Sequence, residues 1–411
     1  MNLHTISVPR IPVGDGFEAA IDWLRENFQA VFDFIGVIID ICVDSLTDLF
    51  SATSATQFTL LASAIIAVGL LSRGHRRPVI IVGAVWAGLY TAELIAGAFA
   101  AVIGSLPAPL FTWAMNLFGA EYVYPPLILA LLLLTALVAL SFTVSRDREQ
   151  WVLTGGSTAA LLLILVLHFI AGVQLSLLVA PLLAVLALVV AGWRVALFSI
   201  LGFLLIISMD KWENAMSSLS LILVATVVAV MVALPIGVLA AYSNRISTVL
   251  KPVLDFMQTM PAFVYLLPAI AFFSVGAVPG VIATVIFAMP PGVRLTELGI
   301  RQVNKELVEA GEAFGAPDLQ ILRRIQLPLA LATIMAGINQ VIMLSLSMVV
   351  IAGMVGAGGL GNDVYTGIAQ GNVPIGFEGG IAVVILAIFL DRLTGAVTRF
   401  SPAARAQRAA A

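Results

Sequence analysis

Glu93 and His168 are ionisable residues within apolar stretches, where a charged side chain could take part in proton transfer. Glu93 falls in the middle of the apolar run 79–103, and His168 falls near the end of the run 151–171. Ionisable groups inside membrane spans are costly, so each is treated by default as a candidate functional residue. The two residues therefore allow a proton-coupled secondary transporter. A further alternative, an enzyme of membrane lipids, has no supporting constellation, because the sequence offers no cluster of metal ligands and no nucleophile beside a plausible base.

A polar segment at 298–329 has a residue spacing that suits a short helix and a turn that transmit force. It reads E-A, four residues, G, nine residues and then I-x-L-P. These positions, with the glycine next to the acidic start, are Glu309, Ala310, Gly311, Gly315, Ile325, Leu327 and Pro328. Gly315 followed by Pro317 predicts a break between two helices, because Gly permits a left-handed cap and Pro favours a helix start. Leu327-Pro328 then marks the predicted entry into the next apolar span.

Four polar side chains within the apolar run 330–355 indicate a wet path through the membrane. They lie one to two helical turns apart, and they are Asn339, Gln340, Ser345 and Ser347. Polar groups within a span are tolerated where they line a cavity or are buried in protein.

The composition places the elements that position these residues in a membrane. Hydrophobic residues make up 61% of the 411 residues and charged residues 10%, with a mean hydropathy of +1.09. Soluble domains are about 45–50% apolar and about 25% charged. The single cysteine, Cys42, excludes a disulfide within one chain. The N-terminal residues lack the basic and apolar regions of a signal peptide, so no cleaved leader is expected.

Eleven apolar runs match the length of ~20 residues that a membrane-spanning helix needs. The predicted spans are 56–72, 79–103, 124–144, 151–171, 175–192, 195–209, 219–242, 256–274, 276–297, 330–355 and 377–397. Alternation from a cytoplasmic segment at 298–329 puts 17 of the 20 Lys and Arg residues on the inner side. Because positive residues favour the cytoplasmic side, the predicted topology is N-out and C-in.

A different pattern precedes the first span. Apolar residues recur at helical spacing from Phe17 through Phe28 and Val31 to Ile38, opposite an acidic face. The pattern predicts one or two amphipathic helices over 16–50, lying on the outer membrane surface. The acidic face leaves packing against the transport core or against a partner subunit equally open, because interfacial helices usually carry Lys and Arg.

The residue composition of the apolar runs also changes along the chain. Leu, Val and Ala dominate 56–209, whereas Pro, Gly and polar residues interrupt the spans from 219 onward. We therefore expect a tail with the amphipathic helix at 1–55, an accessory bundle at 56–209, a permeation core at 210–400 and a cytoplasmic tail at 401–411.

The polar segment resembles the EAA loop of the membrane subunits of ABC importers. The resemblance extends to residues 255–300, 333–355 and 385–394, which are similar to the permease subunit of glycine betaine/proline importers. The acidic amphipathic stretch at 10–45 resembles the N-terminal part of the same subunit. Residues 46–175 depart from that family by about four additional spans. The likeness implies a type I ABC importer permease core with extra N-terminal helices.

This resemblance implies a non-catalytic translocation subunit in a bacterial cell membrane. Its expected partners are a second copy of itself, two copies of a cytoplasmic ABC ATPase that binds ATP-Mg, and an extracytoplasmic substrate-binding protein. No cofactor is expected on this chain. A betaine-type substrate would be held by aromatic faces, for which Phe263 and Tyr265 are candidates. Gly356, Gly358 and Gly361 fit a dinucleotide-binding pattern, but they follow an apolar span, so a flexible outer turn is expected there.

Overall fold

The computed structural model describes residues 13–51, Leu61 and 175–397, and within these residues the regular structure is helical. Glu93, His168 and most of the first four predicted spans lie outside the described residues. The helices are, in chain order, α1 (Val13–Ser51), α2 (Leu175–Val190), α3 (Trp193–Ser208), α4 (Trp212–Tyr242), α5 (Asn244–Thr259), a 3-10 turn (Ala262–Tyr265), α6 (Leu266–Phe273), α7 (Ala277–Arg301), α8 (Lys305–Ala313), α9 (Asp318–Ile321), a π turn (Leu322–Gln326), α10 (Leu327–Ser347), α11 (Val349–Met354), α12 (Gly359–Gln370) and α13 (Val373–Val397).

The described residues include four helices that are long and apolar enough to cross a membrane, or five if one bent pair is counted. They are Trp212–Tyr242, Ala277–Arg301, Asp318–Met354 and Val373–Ala396. The prediction of an all-α polytopic membrane protein is therefore confirmed.

α7 is the central helix of this bundle and packs between α4 and α10. Gly292 shows how close these helices come, because a Cβ there would lie 3.0 Å from both Ala233 of α4 and Val341 of α10. Small residues allow membrane helices to approach in this way. The polar segment follows α7 at one end of the bundle, which we call the polar-segment end. The N-terminus of α4 marks the opposite end, called the far end.

The predicted span at 256–274 is not a single helix. α5 ends at Thr259, and the chain resumes at Ala262 with a bend of 106° between the two parts. Pro261 lacks an N–H and cannot donate to the carbonyl of Met257, so the helix ends here. The Tyr265 hydroxyl donates to that carbonyl instead, at 2.6 Å. Residues 243–255, which lie between two predicted spans, contribute most of α5.

α1 consists of two helical parts that meet at a kink at Phe28 (φ −125°, ψ 18°). Beyond the kink, the residues that pack inward are Ile35, Ile39, Val43 and Phe50. Of the predicted stripe, Ile35 packs inward, whereas Val31 and Ile38 are exposed. Phe28 shifts the helical register, and a uniform 3.6-residue pattern does not anticipate such a shift.

The inward side of α1 packs across the far end of the bundle. Ile39 and Val43 share an apolar cluster with Leu221 of α4 and Val278 of α7, and Phe32 stacks on Phe272 of α6 at 4.4 Å. Packing against the core helices is therefore the alternative that the structure supports. The interfacial placement of α1 stays a prediction.

Candidate functional site

The start of the polar segment forms a short helix with defined caps. Asn304 caps α8, because its Oδ1 accepts a hydrogen bond from the Glu306 N–H at 3.0 Å. At the other end, Ala316 N–H donates to Gly311 O at 3.1 Å, and Gly315 N–H donates to Glu312 O at 2.8 Å. These two bonds define a Schellman motif. Gly315 occupies its left-handed position with φ 73°, so the predicted break at Gly315 is confirmed.

Gly311 connects the two halves of the sequence motif. It is buried, and a Cβ added there would lie 3.0 Å from Ile325 Cδ1 and 3.3 Å from Ile321 Cγ1. α8 therefore folds back on the helical residues after Pro317, with the glycine as the point of contact. This packing makes the polar segment a compact helix-turn-helix.

The second half of the polar segment runs into the next span without interruption. Helical geometry begins at Asp318, after Pro317, and continues through the π turn into α10. In the π turn, the Leu327 N–H donates to Leu322 O, five residues back. Pro328 lacks an N–H, and the wider turn precedes it without ending the helix. α10 therefore begins at Leu327-Pro328, where entry into the span was predicted, although helical geometry already begins at Asp318.

The outer surface of the helix-turn-helix is accessible. Glu309 and Ala310 are exposed on α8. Phe314, at the turn, is 92% exposed. A phenyl ring in this position has no packing role within the described residues. Sequence analysis missed Phe314 because it is one of the four unspecified positions of the motif.

A hydrogen bond fastens the polar segment to α4. The Tyr242 hydroxyl, at the last residue of α4, donates to Gln326 Oε1 in the π turn. Between α4, α7 and α8 lies an open cleft of about 310 Å³. Its polar lining residues are Tyr242, Arg301, Lys305, Glu309, Glu312 and Gln326.

The four polar residues proposed for the path do not share one surface. Gln340 and Ser347 are exposed and lie seven residues apart on α10, on the same side of the helix. Asn339 turns to α13, where its Nδ2 donates to Asp391 Oδ1 at 3.3 Å and its Oδ1 accepts from the Thr394 hydroxyl at 2.9 Å. Ser345 is fully buried, and its hydroxyl has no partner among the described residues. The structure thus brings together Gln340 and Ser347 only.

The two aromatic candidates lie at the break between α5 and α6. Phe263 is 52% exposed, whereas Tyr265 is 7% exposed and uses its hydroxyl to close the break. Phe263 therefore leaves its ring half-exposed, whereas Tyr265 holds the backbone beside it.

An all-helical membrane bundle with a polar helix-turn-helix at one end is the arrangement expected of an ABC importer permease. The family of binding-protein-dependent transport system inner membrane components matches residues 233–400. The glycine betaine/carnitine transport permease protein GbuB of Listeria monocytogenes is 55% identical over 50% of this chain and 73% of its own length. The glycine betaine transport system permease protein OpuAB of Bacillus subtilis is 52% identical over 53% of this chain and 78% of its own length. The glycine betaine/proline betaine permease protein ProW of Salmonella typhimurium is 49% identical over 53% of this chain and 62% of its own length.

The chain belongs to the binding-protein-dependent transport system inner membrane component family. It is a multi-pass membrane protein and the permease subunit of a binding-protein-dependent importer. Such permeases are non-catalytic, and ATP is used by a separate ATPase. The relatives give no support to a proton-coupled carrier. Its candidate residues Glu93 and His168 lie outside the described residues.

Proposed function

We propose that this chain passes betaine-type osmolytes (glycine betaine, proline betaine, choline or related quaternary ammonium compounds) across a bacterial inner membrane. The names of the relatives support this substrate class. The half-exposed ring of Phe263 is consistent with it, because aromatic faces attract cations. Uptake by this transporter would protect the cell against osmotic stress.

The observation that carries the mechanism is the compact polar helix-turn-helix at one end of the bundle. Each copy would engage one cytoplasmic ATPase through the exposed face that contains Glu309, Ala310 and Phe314. ATP and Mg²⁺ would bind to the ATPase. Because Gly311 packs on Ile325, force applied to α8 passes into the continuous helix of α9 and α10. Closure of the ATPase dimer would then move the span that carries Gln340 and Ser347.

A second copy of this chain would complete the path. α10 exposes a stripe at helical spacing that includes polar side chains: Leu329, Ala332, Ala336, Gln340, Met343 and Ser347. Polar groups at membrane depth rarely face lipid, and they instead line a cavity or meet another helix. A homodimer with these stripes facing each other would place four polar side chains around one path. Asn339 and Ser345 would support the span from behind.

In this scheme the binding protein docks at the far end, on the extracytoplasmic side, and delivers the substrate to the outward-open path. Alternating access requires that each ligand bind the two states with different affinity. The core would comprise residues 210–400, with an accessory bundle at 56–209 and terminal segments at 1–55 and 401–411.

Uptake into proteoliposomes tests the proposal. The vesicles would contain this chain with its ATPase, together with binding protein and labelled glycine betaine, with or without internal ATP. We expect uptake only with ATP. ATP hydrolysis that responds to the binding protein without betaine uptake would reject the substrate class and retain the importer. Uptake that is independent of ATP would reject the coupling mechanism.

A further inference from the structure

α5, the first half of the broken span, is tied to α7 by polar contacts at three successive levels. Arg294 forms an ion pair with Asp255. The Ser247 hydroxyl donates to Glu297 Oε1 at 2.7 Å. Arg301 Nη1 donates to Asn244 Oδ1 at 2.7 Å. We call these three contacts the polar ladder, and its residues are Asp255, Ser247 and Asn244 of α5 with Arg294, Glu297 and Arg301 of α7.

The ladder members on α5 are three and eight residues apart, from Asn244 to Ser247 and from Ser247 to Asp255. The members on α7 are three and four residues apart, a spacing that places side chains on one face of a helix. The members on α5 run in the opposite order along the chain, as antiparallel neighbours must. The ladder thus binds the two helices along a shared face over about two turns of α7.

The middle level of the ladder, Ser247 with Glu297, is the best protected. The Glu297 side chain is 13% exposed, and Ser247 is 4% exposed. Arg301 Nε pairs with Glu297 Oε1 at 2.9 Å, and Arg301 Nη2 donates to the Ala240 carbonyl of α4 at 2.8 Å. A cation is favourable beside the last carbonyls of a helix. Arg301 therefore joins the ends of α4, α5 and α7 three residues before Asn304 caps α8.

The other end of α5 lies at the level of the middle of α7. Leu254 shares an apolar cluster with Val293 of α7, and Met257 and Met289 pack against the same cluster. Met260 packs against a second cluster that includes Ala283 of α7. The break at Met260-Pro261 is therefore about halfway along α7, which spans Ala277–Arg301. Discontinuous helices near the middle of a membrane commonly form the substrate site of transporters. Phe263 follows this break directly.

We propose that the polar ladder positions α5, so that movement of the polar segment reaches the break beside Phe263. This inference rests on the proposed function as an importer. The movement would pass from α8 to the end of α7, through the ladder into α5, and so to the aromatic ring halfway along the path. Arg294, Glu297 and Arg301 would act as positioning residues, with no contact to the substrate.

A reporter thiol tests this route without reference to the substrate. Cys42 is the single cysteine of the chain, so Cys42→Ser with Phe263→Cys leaves one thiol at the break. The rate at which a small maleimide labels this thiol would be measured in the complex with its ATPase, with and without a non-hydrolysed ATP analogue. We expect the nucleotide to change this rate severalfold.

Charge exchange across the ladder provides the decisive comparison. Arg294→Asp alone and Asp255→Arg alone are expected to abolish the nucleotide-dependent change in labelling, and the double variant is expected to restore it. Lys251→Asp is the matched control, since Lys251 is an exposed residue of α5 outside the ladder. It should retain the response.

Arg301 is tested in the same background. Arg301→Ala should abolish the response, and Arg301→Lys should recover part of it, because one ammonium can replace some of the guanidinium contacts. If the single variants keep the full nucleotide response, or if the exchanged pair fails to regain it, the ladder does not transmit the movement. If the ladder only stabilises the fold, the variants would lower the amount of complex, its basal ATPase activity and the labelling response together. A loss of the labelling response alone would separate the two roles.

The proposed substrate and the ladder fail separately. A complex that shows nucleotide-dependent labelling but no ATP-driven betaine uptake would reject the substrate class and leave the ladder supported. A complex that takes up betaine normally in the Arg294→Asp and Asp255→Arg variants would reject the ladder and leave the substrate class supported.

Discussion

Gly311 and Ile325 meet where the two halves of the polar segment fold together. The Cβ that Gly311 lacks would stand 3.0 Å from Ile325 Cδ1. The neighbouring atom is the flexible end of a side chain, so a small addition can be accommodated, whereas a large one must push the helices apart.

Size at position 311 should therefore control coupling. We expect Gly311→Ala to keep most ATP-driven uptake and Gly311→Leu to lose it by about tenfold or more, a change of ~1.4 kcal/mol, which lies within the usual ~1–3 kcal/mol cost of overpacking. Ile325→Ala should partly rescue Gly311→Leu by making room. Uptake and ATP hydrolysis would be measured on the same vesicles, and wild-type uptake in Gly311→Leu would show that the contact is dispensable.

Gly315 provides a separate test, because its constraint is conformational. Its φ is 73°, and no atom lies within 4 Å of an added Cβ. A non-glycine residue in this region costs roughly 1–2 kcal/mol, and Asn tolerates it better than other residues. We expect Gly315→Val to uncouple hydrolysis from uptake and Gly315→Asn to remain largely active. Equal loss in both variants would point to a side-chain clash with the ATPase in place of backbone strain.

The relation of Gly311 to Gly315 shows what the sequence could and could not predict. The left-handed turn at Gly315 was predictable, because its chemistry is local: Gly followed shortly by Pro. The packing of Gly311 on Ile325 depends on how the chain folds back, so the motif spacing implied a relation without specifying it. The same limit applied to Asn339, whose partners Asp391 and Thr394 lie on α13, more than 50 residues away.

Among the described residues, the length of apolar runs located the four long spans, but the sequence pattern failed where the backbone departs from regular geometry. The break at Pro261, the shift at Phe28 and the π turn before Pro328 each alter the register of a helix. A proline alone does not reveal which outcome follows. Pro235 lies within the continuous helix α4, and Pro328 follows a π turn, but Pro261 ends a helix.

Phe314 should contribute to ATPase binding, because a phenyl ring that is 92% exposed gains by entering an apolar groove. We expect Phe314→Ser to weaken association with the ATPase by at least about tenfold, since full burial of such a side chain is worth ~1.5–3 kcal/mol. The affinity would be measured by titrating ATPase onto the permease in nanodiscs. Phe377→Ser, at a 66% exposed position near the start of α13, is the matched control. If both variants bind like the wild type, the ring is not part of the docking surface.

Asp363 should hold α12 against α4 at the far end. Its carboxylate accepts a hydrogen bond from Asn214 Nδ2 at 2.7 Å and pairs with Lys211 at 3.4 Å, and both charged side chains are mostly buried. Removal of one partner of such a pair leaves an uncompensated charge, which costs more than the pair contributes. We therefore expect the single variant Asp363→Leu to lower the melting temperature more than the double variant, in which Lys211→Met is added to Asp363→Leu. A double variant that is no more stable than the single one would contradict the pairing.

Gly361 and Gly380 form a matched pair in which one substitution should have opposite effects. Both lie inside helices, α12 and α13, where Ala is normally preferred to Gly by roughly 0.5–1 kcal/mol. At Gly380 nothing lies within 4 Å of an added Cβ, so Gly380→Ala should raise the thermal stability slightly.

At Gly361 the added Cβ would lie 2.1 Å from the Val349 carbonyl oxygen, a backbone atom that cannot turn aside, and 3.3 Å from the Cα of Gly353. Gly361→Ala must therefore separate α12 from α11 and should lower the melting temperature in detergent despite the better helix propensity. A stabilising effect at both positions would show that the close crossing of α11 and α12 is absent from the protein in solution.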